Sequence, residues 1–254
     1  MKATIKHISI FAILLLLISC TFWKKAEKKE KTFEKTFNVE EHFQLAFAAS
    51  ERGNLQEAVS EYKMVIKRDP KNARAHVNLG IVYGRQEKWK QEIAEYKKAI
   101  KIDPNFAEAY FNLGVTYNER GDIKEAMAQY QKALQIYPHY VEAHNNLGNI
   151  FFRRGNLDGA ISEYLKAIAI KPDYARGHYN LGSVYRQQGR LEEAIISFQQ
   201  ALEINAKYGE AHYYLALTHY QKQEMKLAVQ HSDEALNQGI VVDPKFLEQL
   251  KPYR

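Results

Sequence analysis

A single cysteine, Cys20, leaves no second thiol for an internal disulfide or a thiolate metal site. The signatures of common chemistry are missing as well. There is no Gly-rich phosphate cradle, no HExxH pair and no strand-embedded nucleophile. The apolar run from Ile8 to Ile18 falls short of the roughly 20 residues that a spanning helix needs. A basic face is missing too. The formal net charge is +6, but residues 39–254 carry 28 basic against 27 acidic side chains, so the excess belongs to the first 38 residues. Nucleic acid would need basic residues concentrated in the folded part, so it is excluded as a partner.

What the chain does contain begins with an export signal. Lys2 and Lys6 precede the short apolar run, the pattern of a secretory leader. Leu17-Ile18-Ser19-Cys20 resembles the lipobox of bacterial lipoproteins. That resemblance implies cleavage of residues 1–19 and lipidation of Cys20; the alternative is an uncleaved signal anchor. Either way the rest would be held at a membrane, firmly so by several acyl chains, each buried CH₂ contributing about 0.8 kcal/mol. Residues 20–38 follow as a Lys/Glu-rich, solvated tether. Thr21 rather than Asp after the cysteine points to the outer membrane in preference to the inner one, by the enterobacterial sorting rule.

From residue 39 onward the sequence repeats. Asn-Leu-Gly occurs at Asn78-Leu79-Gly80, Asn112-Leu113-Gly114, Asn146-Leu147-Gly148 and Asn180-Leu181-Gly182, each 34 residues after the last. A fixed step of that length predicts an array of helix–turn–helix units. In the copy from Ala107 to Tyr140, Tyr110, Leu113, Gly114 and Tyr117 share one helical face, and Ala126, Tyr130 and Ala133 share another. Gly114 and Ala126 allow close backbone approach, and the tyrosines fill the remaining space. Gly121 with Asp122 marks the turn, and Pro138 ends the second helix. One such pair cannot bury its apolar face alone, whereas stacked neighbours bury it for each other. These residues are core.

The nine positions just named resemble the tetratricopeptide repeat (TPR) family. The resemblance implies an all-α fold, a right-handed superhelical TPR solenoid of antiparallel helix pairs. Six units run without insertion over 39–72, 73–106, 107–140, 141–174, 175–208 and 209–242. Departures cluster at the ends, where array units are commonly atypical. Ala46 and Ala49 replace the glycine and tyrosine of the first helix in unit one. In unit two, Glu87 stands at the turn glycine and Glu92 at the alanine, with Trp89 expected to compensate. In the last unit, His219 stands at the tyrosine and Glu224 is assigned to the turn glycine. Residues 243–254 are expected to form a capping helix, covering the last pair with Phe246, Leu247 and Leu250.

In this family the first helices line a concave groove, with repeat positions 2, 5, 6, 9, 12 and 13 facing it. Position 6 carries Asn78, Asn112, Asn146 and Asn180, similar to the asparagine ladder of O-linked N-acetylglucosamine transferase superhelices. An asparagine offers both donor and acceptor to a peptide backbone of any sequence. The alternative is that these amides simply face water. Position 5 carries Phe43, Val77, Phe111, Asn145, Tyr179 and Tyr213; position 9 includes Phe47, Ile81, Val115 and Asn149. The groove is thus expected to be apolar early and polar later, unless several of these residues pack between helix pairs instead. The carboxylate clamp of chaperone-binding relatives needs Lys at position 5, and none is present. Histidines at position 4 (His42, His76, His144, His178 and His212) fall one per unit, on the order of 10 Å apart, too far to share one ion. They are expected to replace the packing aromatic.

The sequence therefore predicts a non-enzymatic, membrane-tethered scaffold that binds an extended or helical peptide segment of another protein. No metal, cofactor, small-molecule substrate or nucleic acid is expected. The resemblance to the transferases covers only their repeats, so their activity does not carry over. A second expectation is a pilotin-like lipoprotein, similar to six-unit TPR lipoproteins that assist secretin and type IV pilus assembly.

Overall fold

Residues 38–254 are described in a computed structural model of the chain, and the signal, Cys20 and most of the tether lie outside them. Thirteen α-helices and one terminal 3₁₀ turn make up the described residues. Helix α1 covers residues 38–51. It is followed by α2 (Leu55–Arg68), α3 (Ala73–Arg85), α4 (Trp89–Ile102), α5 (Ala107–Glu119), α6 (Ile123–Ile136) and α7 (Val141–Arg153). The chain continues through α8 (Leu157–Ile170), α9 (Ala175–Gln187), α10 (Leu191–Ile204), α11 (Gly209–Gln221), α12 (Met225–Asn237) and the short α13 (Pro244–Leu250). Two compact units result, one ending at Pro104 and holding α1–α4, the other holding α5–α13. Within each, consecutive helices pair and the pairs stack as a helical solenoid.

One contact recurs inside the pairs. A Cβ on Gly80 would lie 2.5 Å from the Tyr96 ring, and one on Gly148 2.5 Å from the Tyr164 ring. The corresponding approaches are 2.8 Å for Gly114 to Tyr130 and for Gly182 to Phe198. The ring of the second helix thus rests on bare backbone of the first. The last pair inverts the arrangement: Ala216 supplies a methyl group where these four pairs have glycine, and Ser232 replaces the ring; both are fully buried. Between pairs, Tyr130 and Ala126 of α6 meet Leu147 and Ile150 of α7. Tyr164 and Ala160 of α8 likewise meet Leu181 and Val184 of α9. The C-terminal end is closed by Val242, Phe246 and Leu250, buried against Ala216, Ala228 and Ala235.

Two features of the departing units correct the sequence expectation. The left-handed turn residue of the last pair is Gln223 (φ 63°), not Glu224, which instead precedes α12 as its N-cap. Gln223 holds the place that Gly121, Gly155 and Gly189 hold in their pairs. In the second pair, Trp89 is half exposed. Gly84 makes the room: a Cβ there would lie 2.8 Å from the Glu92 carboxylate, which accepts a 3.3 Å hydrogen bond from Tyr96.

The position-4 histidines do more than pack. His76 Nδ1 lies 2.6 Å from Glu95 and His144 Nδ1 2.6 Å from Glu163, while His42 contacts Glu61 in the same way. Each partner is 19 residues later, on the second helix of the same pair. Burial pushes the carboxyls of Glu95 and Glu163 up, but hydrogen bonds from His76 and Lys98, and from His144 and Lys166, outweigh it and hold them below the usual carboxylate range.

Two outcomes are expected. Gln223→Gly relieves a left-handed cost of about 1–2 kcal/mol and adds unfolded-chain entropy of roughly 0.5–1 kcal/mol. The net effect is a gain of about 0.5–1 kcal/mol in unfolding free energy, read as a higher urea midpoint. Glu163→Gln removes a charge-assisted bond of about 1.5–3 kcal/mol near neutral pH. A depressed carboxyl contributes stability above its unfolded pKa and loses it as pH falls through its folded value. The gap between parent and variant should therefore close as pH drops below about 4.5, which urea titrations across pH would read directly.

Candidate functional site: the first-helix face

The odd-numbered helices α5, α7, α9 and α11 adjoin one another along one face of the second unit, joined by side chains of opposite character. At the α5 end Phe111 is half-buried, stacked on Tyr140 at 4.6 Å and 5.8 Å from Tyr130. Val115 packs beside it against the Tyr130 cluster. Asn112 is half-buried, and its carbonyl accepts from Thr116 Oγ1 at 3.1 Å. The α9–α11 end is aromatic: Tyr179 lies 5.6 Å from Tyr214, 5.1 Å from Tyr208 and 6.0 Å from Phe198. Tyr213 stands edge-on to Tyr214 at 5.7 Å.

Between these ends the asparagines form a network. Asn146 Nδ2 donates to the Tyr130 hydroxyl at 3.3 Å. Asn180 Nδ2 donates to Asn145 Oδ1 at 2.8 Å and to Asn149 Oδ1 at 3.2 Å. Asn149 Oδ1 also accepts from the Tyr164 hydroxyl at 2.7 Å. Burial pushes the Tyr130 hydroxyl up to about 12 and the Tyr164 hydroxyl higher still, so both stay protonated near neutral pH. The amide donors of Asn146 and Asn180 thus tie each helix pair to the one before. The Oδ1 atoms of both, and the Asn149 amide group, keep no partner among the described residues.

Asn146 and Asn149 border a notch of about 270 Å³, whose other lining residues are Asn118, Phe152 and Arg153. Arg153 is exposed, with its guanidinium donating to Asn118 Oδ1 at 2.5 Å. The notch offers guanidinium and amide donors, a carbonyl acceptor and an aromatic side. Neither Asn118, Phe152 nor Arg153 was named from the sequence; repeat positions 12 and 13, next to the ladder in the groove, were the available signal. A second hollow, of about 360 Å³, lies between α6 and α8, with Leu134, Leu147 and Phe151 inside and Lys166 and Gln131 among its other residues.

The first unit presents its own surface. Asn78 hydrogen-bonds the Tyr62 hydroxyl, which burial pushes up to about 12. Phe43 is buried edge-on to Tyr62, with the Arg74 guanidinium 4.7 Å from its ring centre. Val77 is fully buried and offers a ligand no surface; Asn145 of the second unit, 2% exposed, is nearly as enclosed. Phe47 is 49% exposed and Ile81 half-buried. Among the described residues no cluster of His, Asp or Glu could hold a metal ion, and no helix is long and apolar enough to cross a membrane.

Comparison with known proteins places this geometry. The chain matches the family described as TPR repeat over residues 50–87, 85–119, 116–154, 148–188 and 182–223. No curated protein matches it. Among solved structures, a crystal structure of MamA is 30% identical, covering 65% of this chain and 97% of that one, with a TM-score of 0.58. PilF of Pseudomonas aeruginosa is 18% identical, covering 78% of this chain and 90% of its own, with a TM-score of 0.71. PilW, described as a type IV pilus biogenesis factor, is 20% identical with a TM-score of 0.67, covering 76% and 90% respectively. At those identities PilF and PilW share the fold, whereas the repeat matches span the chain from residue 50 to 223 and settle its kinship. The chain belongs to the TPR family, a helix-pair scaffold for protein interactions.

Proposed function

We propose that the protein is a non-enzymatic, membrane-tethered scaffold that seats an extended peptide segment of another protein on the first-helix face of its second unit. The notch at Arg153 carries this reading. Its neighbours Asn146 and Asn149 are fixed by their structural hydrogen bonds and still keep free bonding capacity, which suits a peptide backbone. Phe152 supplies a side wall for an apolar side chain, and Arg153 a charged rim. Orientation without ligand-induced ordering lowers the entropic cost of binding. A solved TPR protein with a fold match to this chain, YrrB, is described as having an unusual peptide-binding site, which supports the class of ligand. The tether is the proposed role of Cys20: lipidation after cleavage of residues 1–19 would place the repeats at the cell envelope, at the outer membrane in preference to the inner.

A second reading, assistance of secretin or type IV pilus assembly in the manner of a pilotin, draws on the fold shared with PilF and PilW. The same experiment separates the two. A photo-crosslinking residue placed at Phe152 of the full chain, in envelope membranes, should yield a defined adduct. The same probe at the exposed Leu165 should not, and Arg153→Glu should reduce the Phe152 adduct at least several-fold. An adduct containing a secretin selects the pilotin reading. Adducts from Leu165 alone would move the site to the second-helix face and overturn the proposal. Independently, labelled fatty acid should enter the parent and not Cys20→Ser; label retained in the variant, or absent from the parent, removes the lipid anchor.

A further inference from the structure

The last helix pair departs from its neighbours at one cluster that the peptide-binding reading does not use. In three pairs the position-4 histidine meets a glutamate 19 residues later: His42 with Glu61, His76 with Glu95, His144 with Glu163. In the last pair that place is taken by His231, and His212 Nδ1 lies 3.0 Å from His231 Nδ1. A third histidine, His219, stands where α3, α5, α7 and α9 carry a tyrosine or phenylalanine. Its ring is parallel to that of His231, at 5.5 Å and 7°. Parallel rings cannot aim nitrogens at a common point, so the trio is no metal site, consistent with the absence of a metal-capable cluster among the described residues.

The geometry allows one proton between the two facing nitrogens. His212 Nε2 faces the Ala206 carbonyl at 3.4 Å and donates to it, which leaves Nδ1 as the acceptor and makes His231 Nδ1 the donor. A proton added to His212 would set two N–H groups against each other. One added to His231 would place a cation between two imidazoles with no carboxylate bonded to it. The charged groups nearby are already engaged. Glu224 accepts from His219 at 2.6 Å and pairs with Lys222, which also reaches Glu192 of α10. Asp233 pairs with Arg254 of the C-terminal turn. Beneath the cluster the core is thin. Ser232 replaces the ring that seals the other pairs, and its hydroxyl and the His219 Nε2 are buried without partners among the described residues.

We propose that α11, α12 and the covering α13 form an acid-labile end of the array, which opens in mildly acidic solution while the pairs held by His–Glu contacts stay closed. Burial, with His212 and His219 adding repulsion, lowers His231 to about 4. Its folded pKa lies below the unfolded value of about 6.5, so between roughly pH 6.5 and 4 the opened chain binds more protons and stability falls as pH falls. Glu95 and Glu163, held below the usual carboxylate range, surrender their contribution only at lower pH. The opening stands independently of what the face binds. It would nevertheless carry away Tyr213 and Tyr214, the aromatic end of that face.

The test is amide hydrogen exchange on the full chain in detergent at pH 7 and pH 5, corrected for intrinsic rates. Opening constants for α11–α13 are expected to rise about 20-fold at pH 5, with those of α7 and α8, joined by His144 and Glu163, changing by less than a few-fold. His231→Glu restores the pairing of the other units and His231→Gln removes the titrating group; both should abolish the rise. Equal protection of α11–α13 at the two pH values would overturn the proposal. So would an equal rise across α7 and α8, or a rise that persists in His231→Gln.

Discussion

Everything in these helix pairs depends on how closely two backbones can approach, and a glycine facing an aromatic ring sets that distance. The rings of Tyr96, Tyr130, Tyr164 and Phe198 lie where a Cβ on the facing glycine would be 2.5–2.8 Å away. Any side chain there would drive the helices apart, because a packed interior cannot absorb an added methyl group without strain. In two pairs the hydroxyl of that ring also reaches the next first helix: Tyr130 accepts from Asn146 of α7, and Tyr62 is bonded to Asn78 of α3. One residue there sets the spacing within a pair and links that pair to the next, whereas Tyr164 donates back to Asn149 of its own pair. The final pair, with Ala216 and Ser232, gives up this device.

The periodicity and the glycine, alanine and aromatic positions were legible because a 34-residue step and a 3.6-residue pitch leave marks in the letters themselves. The six helix pairs among the described residues follow that step. What escaped were contacts that depend on which side of an amide points where. From the sequence the asparagines offered both ends to a ligand. In the structure Asn180 directs its amide N–H groups to Asn145 and Asn149 of the preceding pair, and Asn146 directs one of its two to Tyr130, so what is left for a ligand is one N–H of Asn146 and the two carbonyls. The turn of the last pair was misplaced by one residue, because neither Gln223 nor Glu224 carries the glycine signature that marks the others. The His–Glu contacts were readable in principle. A 19-residue step joins His42 to Glu61, His76 to Glu95 and His144 to Glu163, but it is no helical period and becomes visible only once the two helices are folded together.

The candidate site follows from the same economy. Side chains that stitch the pairs together also compose the face a ligand would meet, so rigidity and recognition share atoms. That joins binding to stability in a specific way: Asn146 and Asn149 make half-buried bonds between helices, whereas the bond from Arg153 to Asn118 is exposed at the rim. Residues at the rim are therefore the ones free to vary a ligand preference, and those at the base are constrained by folding.

The asparagine network also bears on how such an array can lengthen. A tandem copy of the unit over 141–174 would set a new Asn146 against Tyr164, Asn145 and Asn149, all able to accept its amide. A tandem copy of the unit over 175–208 would set a new Asn180 against Phe198, Tyr179 and Ser183, which offer a phenyl ring and two hydroxyls in place of the Tyr164 hydroxyl and the Asn145 and Asn149 carbonyls. The acceptors differ from one seam to the next, so the order of near-identical repeats is itself written into the hydrogen bonds between them.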